Sequence, residues 1–164
     1  MAYYSKVLLP DEQVCTVGRL HWAVYLRSWF FLVLAALAGI AAQYYRSAEI
    51  DAGEALSLGL PVMLAAVGAI FLGIGLVSGF GAWVRRSTTE IVVTDRRIIY
   101  KVGFIRRRTM EMNMTKVETV DVEQSIAGRI LNFGTILVRG SGTSYEPLSM
   151  VANPLALRTA IVAQ

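Results

Sequence analysis

Few side chains in this 164-residue sequence have the type and spacing for chemistry. His21 is the only histidine and Cys15 the only cysteine. His21 comes just before a long apolar run, which suits an interfacial or solvated role better than acid–base work. Cys15 has no second thiol for a disulfide or a Cys-based zinc cluster, and no base beside it to generate a thiolate. Asp95, in Thr94-Asp95-Arg96-Arg97, has the type of a general acid or base. An Asp following Thr between two β-rich runs is better read as a turn former. Neither Gly73-Ile74-Gly75 nor Gly140-Ser141-Gly142 continues as a phosphate loop. Asn113-Met114-Thr115 matches a glycosylation sequon and is read as chance. The sequence is therefore expected to be non-enzymatic, with no catalytic residue, no metal and no cofactor.

One candidate binding cluster remains. Arg106, Arg107 and Arg108 are consecutive, and Arg85, Arg86, Arg96, Arg97 and Lys101 are near them in sequence. From Arg85 onward there are 12 basic and 7 acidic residues, a net of +5, against −1 for residues 1 to 84. All the excess positive charge thus falls in the second half. A basic residue held next to an anionic leaflet gains about 1 kcal/mol, so Arg85, Arg86 and Arg106 to Arg108 are candidates for lipid headgroups or an acidic partner. A solvated hairpin is the plainer use of the same charges. Nucleic acid is not expected despite an isoelectric point near 9.5. No basic strand is interleaved with aromatics, and no recognition helix carries clustered Arg.

The elements that must position these arginines begin with two apolar runs. Leu56 to Val84, about 29 residues, contains no Asp, Glu, Lys, Arg or His, and Ser28 to Tyr45 is equally uncharged over about 18. Each is long enough to cross a bilayer as a helix. A composition of 55% hydrophobic residues and a mean hydropathy of +0.51 agree with this. The expected organisation is a segment 1–27, a transmembrane hairpin at 28–84 (spans at 28–45 and about 58–84), and a small domain at 85–164. A signal peptide ending near Ala41-Ala42-Gln43 is the competing reading of the first run. A polar leader carrying Asp11 and Glu12 is a poor start for one.

Basic residues set the expected orientation. Lys6, Arg19 and Arg27 precede the first span, Arg85 and Arg86 follow the second, and Arg46 alone faces Glu49, Asp51 and Glu54 between them. Both termini and the C-terminal domain are therefore expected in the cytoplasm. Trp22, Trp29, Tyr44, Tyr45 and Trp83 lie where interfacial aromatics belong. Pro61 is placed in the first turn of its helix. Ala35, Ala38, Gly39 and Ala42 in the first span, and Gly68, Gly75 and Gly79 in the second, are candidates for close helix packing. The hairpin packing on itself is the simplest use, and a docking face for another membrane protein is the alternative. No ionisable residue falls within either span, so transport is not expected.

Beyond Arg86 the pattern becomes that of strands. Thr88–Thr94, Arg97–Val102, Phe104–Asn113, Val117–Glu123, Thr135–Arg139 and Ser144–Met150 are short β-rich runs separated by turn signals. Gln124–Asn132 reads as a helical or looping insert. Asn153-Pro154 reads as an N-cap with Pro at the first helical position, opening a C-terminal helix.

These residues also carry a resemblance. Val93-Thr94-Asp95-Arg96-Arg97-Ile98-Ile99-Tyr100, Gly103 with Arg106 to Arg108, Val117-Glu118-Thr119-Val120, Gln124 to Leu131, Phe133-Gly134-Thr135 and Asn153-Pro154 resemble the bacterial pleckstrin-homology-like domain found beside membrane spans. The likeness runs from about Thr88 to the end, and the preceding hairpin is similar to that family's layout. It implies an α+β fold: two packed antiparallel sheets as a partly open barrel or sandwich, capped by the final helix. Fold does not carry function with it. The expected function is a non-catalytic scaffold in the bacterial inner membrane, an accessory subunit docking on a larger membrane complex. The alternative is a module that binds an anionic lipid surface or self-associates.

Overall fold

The structure, a computed structural model, describes residues 8, 9, 11–47, 54–103, 107–140, 143, 144 and 147–163. The expected Gly140-Ser141-Gly142 turn, most of the connector between the apolar runs, Phe104 and Arg106 fall wholly or partly outside these. The chain divides into two compact units, residues 25–83 and residues 1–24 with 84–164.

The first unit is a helical hairpin. Helix α1 spans Leu26–Ser47, entered by a 3-10 turn at Trp22–Tyr25, and α2 spans Glu54–Thr88. Both are long and apolar enough to cross a membrane. Each runs a little past its expected ends, because the charged residues Arg46, Glu54, Arg85 and Arg86 continue the helix rather than stop it. Pro61 is a correction: it lies inside α2, not in its first turn. An interior proline removes the hydrogen bond its nitrogen would donate and crowds the carbonyl four residues before it, a break that membrane helices tolerate.

The second unit is built from two open antiparallel sheets and a C-terminal helix. Strands β1 (Val14–Gly18), β2 (Glu90–Thr94), β3 (Arg97–Val102) and β4 (Arg108–Asn113) lie side by side in that order. In the second sheet β6 (Phe133–Gly140) pairs with β5 (Val117–Glu123) on one side and with the short β7 (Thr143–Ser144) and β8 (Leu148–Ala152) on the other. The sheets do not close into a barrel, since the chain leaves β4 through a 3-10 turn at Met114–Lys116 and β5 starts the other sheet. Helix α3 (Ile126–Leu131) connects β5 to β6, and α4 (Pro154–Val162) follows β8.

The stretch 1–27, expected from the sequence to be a segment apart from the domain, instead supplies strand β1: Val14–Gly18 pairs with β2, Val17 opposite Val92 and Gly18 opposite Ile91. The sheet is thus assembled from residues on both sides of the hairpin. Ile91, Val93, Ile98 and Met112 from the first sheet meet Val120, Ile136, Val138, Leu148 and Val151 from the second. Leu157 and Ile161, four apart on one face of α4, close the core.

Asn153 is not a conventional N-cap. Its backbone is left-handed (φ 50°) and its side chain caps nothing on α4. The Asn153 Oδ1 instead accepts from Asn132 Nδ2, which ties the end of α3 to the start of α4.

Candidate functional site

Antiparallel register sorts the second unit's charged residues to two ends. Glu90, just after α2, pairs with Lys101, and Val102 pairs with Arg108. Gly18, the last residue of β1, is opposite Ile91. Both apolar helices therefore join the sheet at one end, and the β3–β4 connection returns Arg107 and Arg108 to it. Arg97 opposite Asn113 and Val14 opposite Thr94 mark the far end.

The second sheet shares this polarity. Leu20 bridges to Val151, the His21 amide donates to the Met150 carbonyl at 2.7 Å, and Ala152 donates to Arg19 at 3.0 Å. The His21 ring stacks on Phe133 with centroids 5.3 Å apart. The start of β6, the end of β8, α3 and the N-terminus of α4 thus all belong to the helix-joined end.

Arg85, Arg86, Arg107 and Arg108 are exposed there, while Arg106 lies outside the described residues. Arg19 and Arg86, with Ser87, Thr89, Glu90 and the 17–20 segment, line a pocket of about 350 Å³. His21 is half-buried, and its Nδ1 accepts the Ala23 amide at 3.1 Å. Burial, aided by the Arg86 charge, pushes its pKa below 6.5 and favours the neutral ring.

Helix α3 is the other feature of this end. Ser125 caps it by accepting the Gly128 amide at 3.1 Å, and Asn132 ends it in the left-handed conformation (φ 59°). Gly128 faces inward against β6, where an added Cβ would be 2.6 Å from the Phe133 carbonyl oxygen, so only glycine lets the helix lie this close. Seating Gly128 inward turns Ile126 and Ile130 outward, 82% and 78% exposed, with Arg129 exposed beside them.

The far end is held by a buried ion pair that sequence reading missed. Glu12, its side chain fully buried, receives Arg97 Nη2 and Nε at 2.8 and 2.9 Å. The Thr94 hydroxyl donates to the same carboxylate at 2.8 Å and the Leu9 amide at 2.9 Å. Arg97 Nη1 reaches on to Glu111 at 2.7 Å. The Arg97 hydrogen bonds hold the Glu12 carboxyl down to about 2, against the opposing effect of burial. The same partner raises Arg97. Asp95 behaves as a turn residue, its Oδ1 accepting the Gln13 amide at 3.1 Å. An open groove of about 770 Å³ lies beside the clasp, lined in part by Leu9, Arg96, Met114, Val117 and Ile161.

Within the hairpin, α1 lies on the glycines of α2. A Cβ on Gly75 would be 2.8 Å from the Leu32 side chain, and one on Gly79 would be 2.7 Å from Ser28 Oγ. The Ser28 hydroxyl donates to the Gly75 carbonyl at 2.7 Å. A Cβ on Gly68 would be 3.4 Å from the Ala35 carbonyl oxygen and from Ala38 Cβ. Gly39 is different: a Cβ there would meet nothing within 4 Å. Of the seven small residues named from the sequence, Gly68, Gly75 and Gly79 of α2 and Ala38 of α1 thus face the partner helix directly.

A family model described as a bacterial PH domain matches residues 13–162. That span starts one residue before β1, ends with the last residue of α4 and encloses both apolar helices. Neither the curated proteins nor the solved structures contain a match.

Proposed function

The chain belongs to the bacterial PH domain family, and from that premise we propose a non-catalytic, membrane-anchored recognition module whose helix-joined end rests on an anionic leaflet. In this reading α1 and α2 cross the bacterial inner membrane and both termini are cytoplasmic. Lys6, Arg19, Arg27, Arg85 and Arg86 are on the side that keeps positive charge inside.

One observation carries the reading. The β3–β4 register brings Arg107 and Arg108 back to the sheet end where both apolar helices attach. Chain connectivity puts that end close to any bilayer the helices cross. The neighbouring pocket offers a phosphate headgroup the Arg19 guanidinium and the Ser87 and Thr89 hydroxyls, beside Arg86 and Glu90, which already have partners of their own. Each basic residue within a Debye length of the surface contributes about 1 kcal/mol.

The test is amide hydrogen exchange on the full chain in nanodiscs, comparing phosphatidylglycerol-rich with zwitterionic bilayers. Residues 85–90 and the β3–β4 region should be protected more on anionic lipid, and salt should reverse the difference. Arg107→Glu with Arg108→Glu should abolish it, and equal exchange in both bilayers sinks the proposal. The full chain is required because a fragment starting at residue 85 lacks β1.

An accessory subunit is the second reading, with its expected docking glycines revised. Gly75 and Gly79 are used by the hairpin itself. A separate ridge on α2, Ala65, Ala69, Gly73, Val77 and Gly81 at i+4 spacing, is exposed and favours this reading. Stoichiometric co-purification of another membrane protein in mild detergent, lost on Gly73→Leu, would support it. A protein that comes out alone or only with itself would count against it.

A further inference from the structure

We propose that α3 is an interfacial wedge that inserts Ile126 and Ile130 into the leaflet. The inference rests on the lipid-facing reading and deepens it, because it adds apolar insertion to surface charge.

Among the described residues outside α1 and α2, Ile126 and Ile130 are the most exposed large apolar side chains, and they form a pair rather than single scattered ones. Ile126 and Ile130 are 82% and 78% exposed and, being four residues apart, lie on one helical face. Their exposure is built in. Gly128 seats the opposite face on the Phe133 carbonyl, the Ser125 and Asn132 caps fix both helix ends, and Asn132 is bonded to Asn153.

Position and charge select the occupant. Phe133, two residues after α3 ends, stacks on His21, whose neighbour Trp22 is exposed and opens the turn into α1. The helix therefore lies at the domain's helix-joined end, with Arg129 on α3 and Arg107 and Arg108 on the first sheet at that same end. Apolar side chains flanked by arginines match the boundary between acyl chains and anionic headgroups. A second copy of the chain would place these positive charges against one another.

The experiment uses the full chain in a Cys15→Ser background, with an environment-sensitive fluorophore on Ile126→Cys or Ile130→Cys and, as a control, on Thr115→Cys. Thr115 is exposed near the far end. Reconstitution is into phosphatidylglycerol–phosphatidylcholine vesicles containing lipids brominated high in the acyl chain. Labels at 126 and 130 should be blue-shifted and quenched by bromine, and the label at 115 should be neither. Aqueous emission at 126 and 130 overturns the proposal. So does a blue shift without bromine quenching that grows with protein density, which would indicate self-association.

Two readouts separate this from the premises. Quenching of a label on Ile70→Cys, midway along α2 and exposed, by bromines deep in the chain reports the spanning helices. If the unsubstituted chain shows equal exchange in anionic and zwitterionic bilayers while residue 130 stays quenched, the wedge stands and the electrostatic reading falls.

Discussion

The two ends of the PH domain use the same residue types in opposite ways. At the far end a carboxylate and a guanidinium are buried against each other, with Glu12 fully covered and each of its oxygens hydrogen-bonded. At the helix-joined end Arg85, Arg107, Arg108 and Arg129 reach into solvent, next to isoleucines that the core has not absorbed. A carboxylate and a guanidinium buried against each other specify the fold, and guanidinium groups exposed at the edge of the sheet can also meet a surface outside it. Substitutions at the far end should therefore alter stability and leave lipid contact alone, and those at the helix-joined end should do the reverse.

The largest effect should come from removing Arg97. Arg97→Met leaves Glu12 buried and unpaired, which costs about 3–5 kcal/mol. A matched Glu12→Leu/Arg97→Met pair should recover most of this, because replacing a buried ion pair with apolar groups of similar size is often neutral. Denaturant unfolding of the full chain in mild detergent, followed through exchange of the β2 and β3 amides, measures both. An Arg97→Met protein as stable as the parent would show that the clasp is not what holds the far end.

Acid should separate the ends without mutation. The Glu12 carboxyl is held at about 2 when folded against 4.5 ordinarily. The folded state thus binds fewer protons between those values, and the ion pair's stabilisation is complete above pH 4.5 and lost as pH falls towards 2. The shift corresponds to about 3 kcal/mol. His21, also lowered when folded, acts earlier: stability should begin to fall as pH drops below 6.5, where the unfolded ring takes a proton that the folded one resists. A pH series of unfolding midpoints should show two declines, with Glu12→Gln flattening only the lower. A single decline would mean the two ends are not independently set.

The sequence displays some of this and conceals the rest for physical reasons. The apolar helices, the strands after Thr88 and the final helix are legible because they repeat at 3.6 or 2 residues. Strand β1 was legible in kind, since Val14, Thr16 and Val17 are β-branched, but its partner β2 lies beyond the whole hairpin and no local pattern names it. Glu12 is hidden for the same reason: its partner is 85 positions away, and before folding it is one more acidic residue in a polar leader. The arginine run was visible as composition, whereas its return to the helix-joined end depends on register. Ile126 and Ile130 were visible as apolar residues of an insert and would ordinarily be assigned to a core. Only Gly128 facing inward shows that they point away from it.

The smallest expected effect is the most discriminating. Arg107→Glu with Arg108→Glu, or Ile126→Ser with Ile130→Ser, should change domain stability by no more than about 0.5 kcal/mol, as exposed substitutions do. Core isoleucines behave differently: Ile136, fully buried between the sheets, should cost about 2–5 kcal/mol when cut to alanine. If Ile126→Ser/Ile130→Ser destabilised the detergent-solubilised domain by that larger amount, the two side chains would be core that the fold holds in another way. The contrast between the ends would then collapse into one continuous interior. If stability is unchanged while bromine quenching of a label at Thr109, beside Arg108 on β4, is lost in vesicles, the isoleucines serve the bilayer and not the fold. That outcome would assign stability to one end of the sheet and membrane contact to the other.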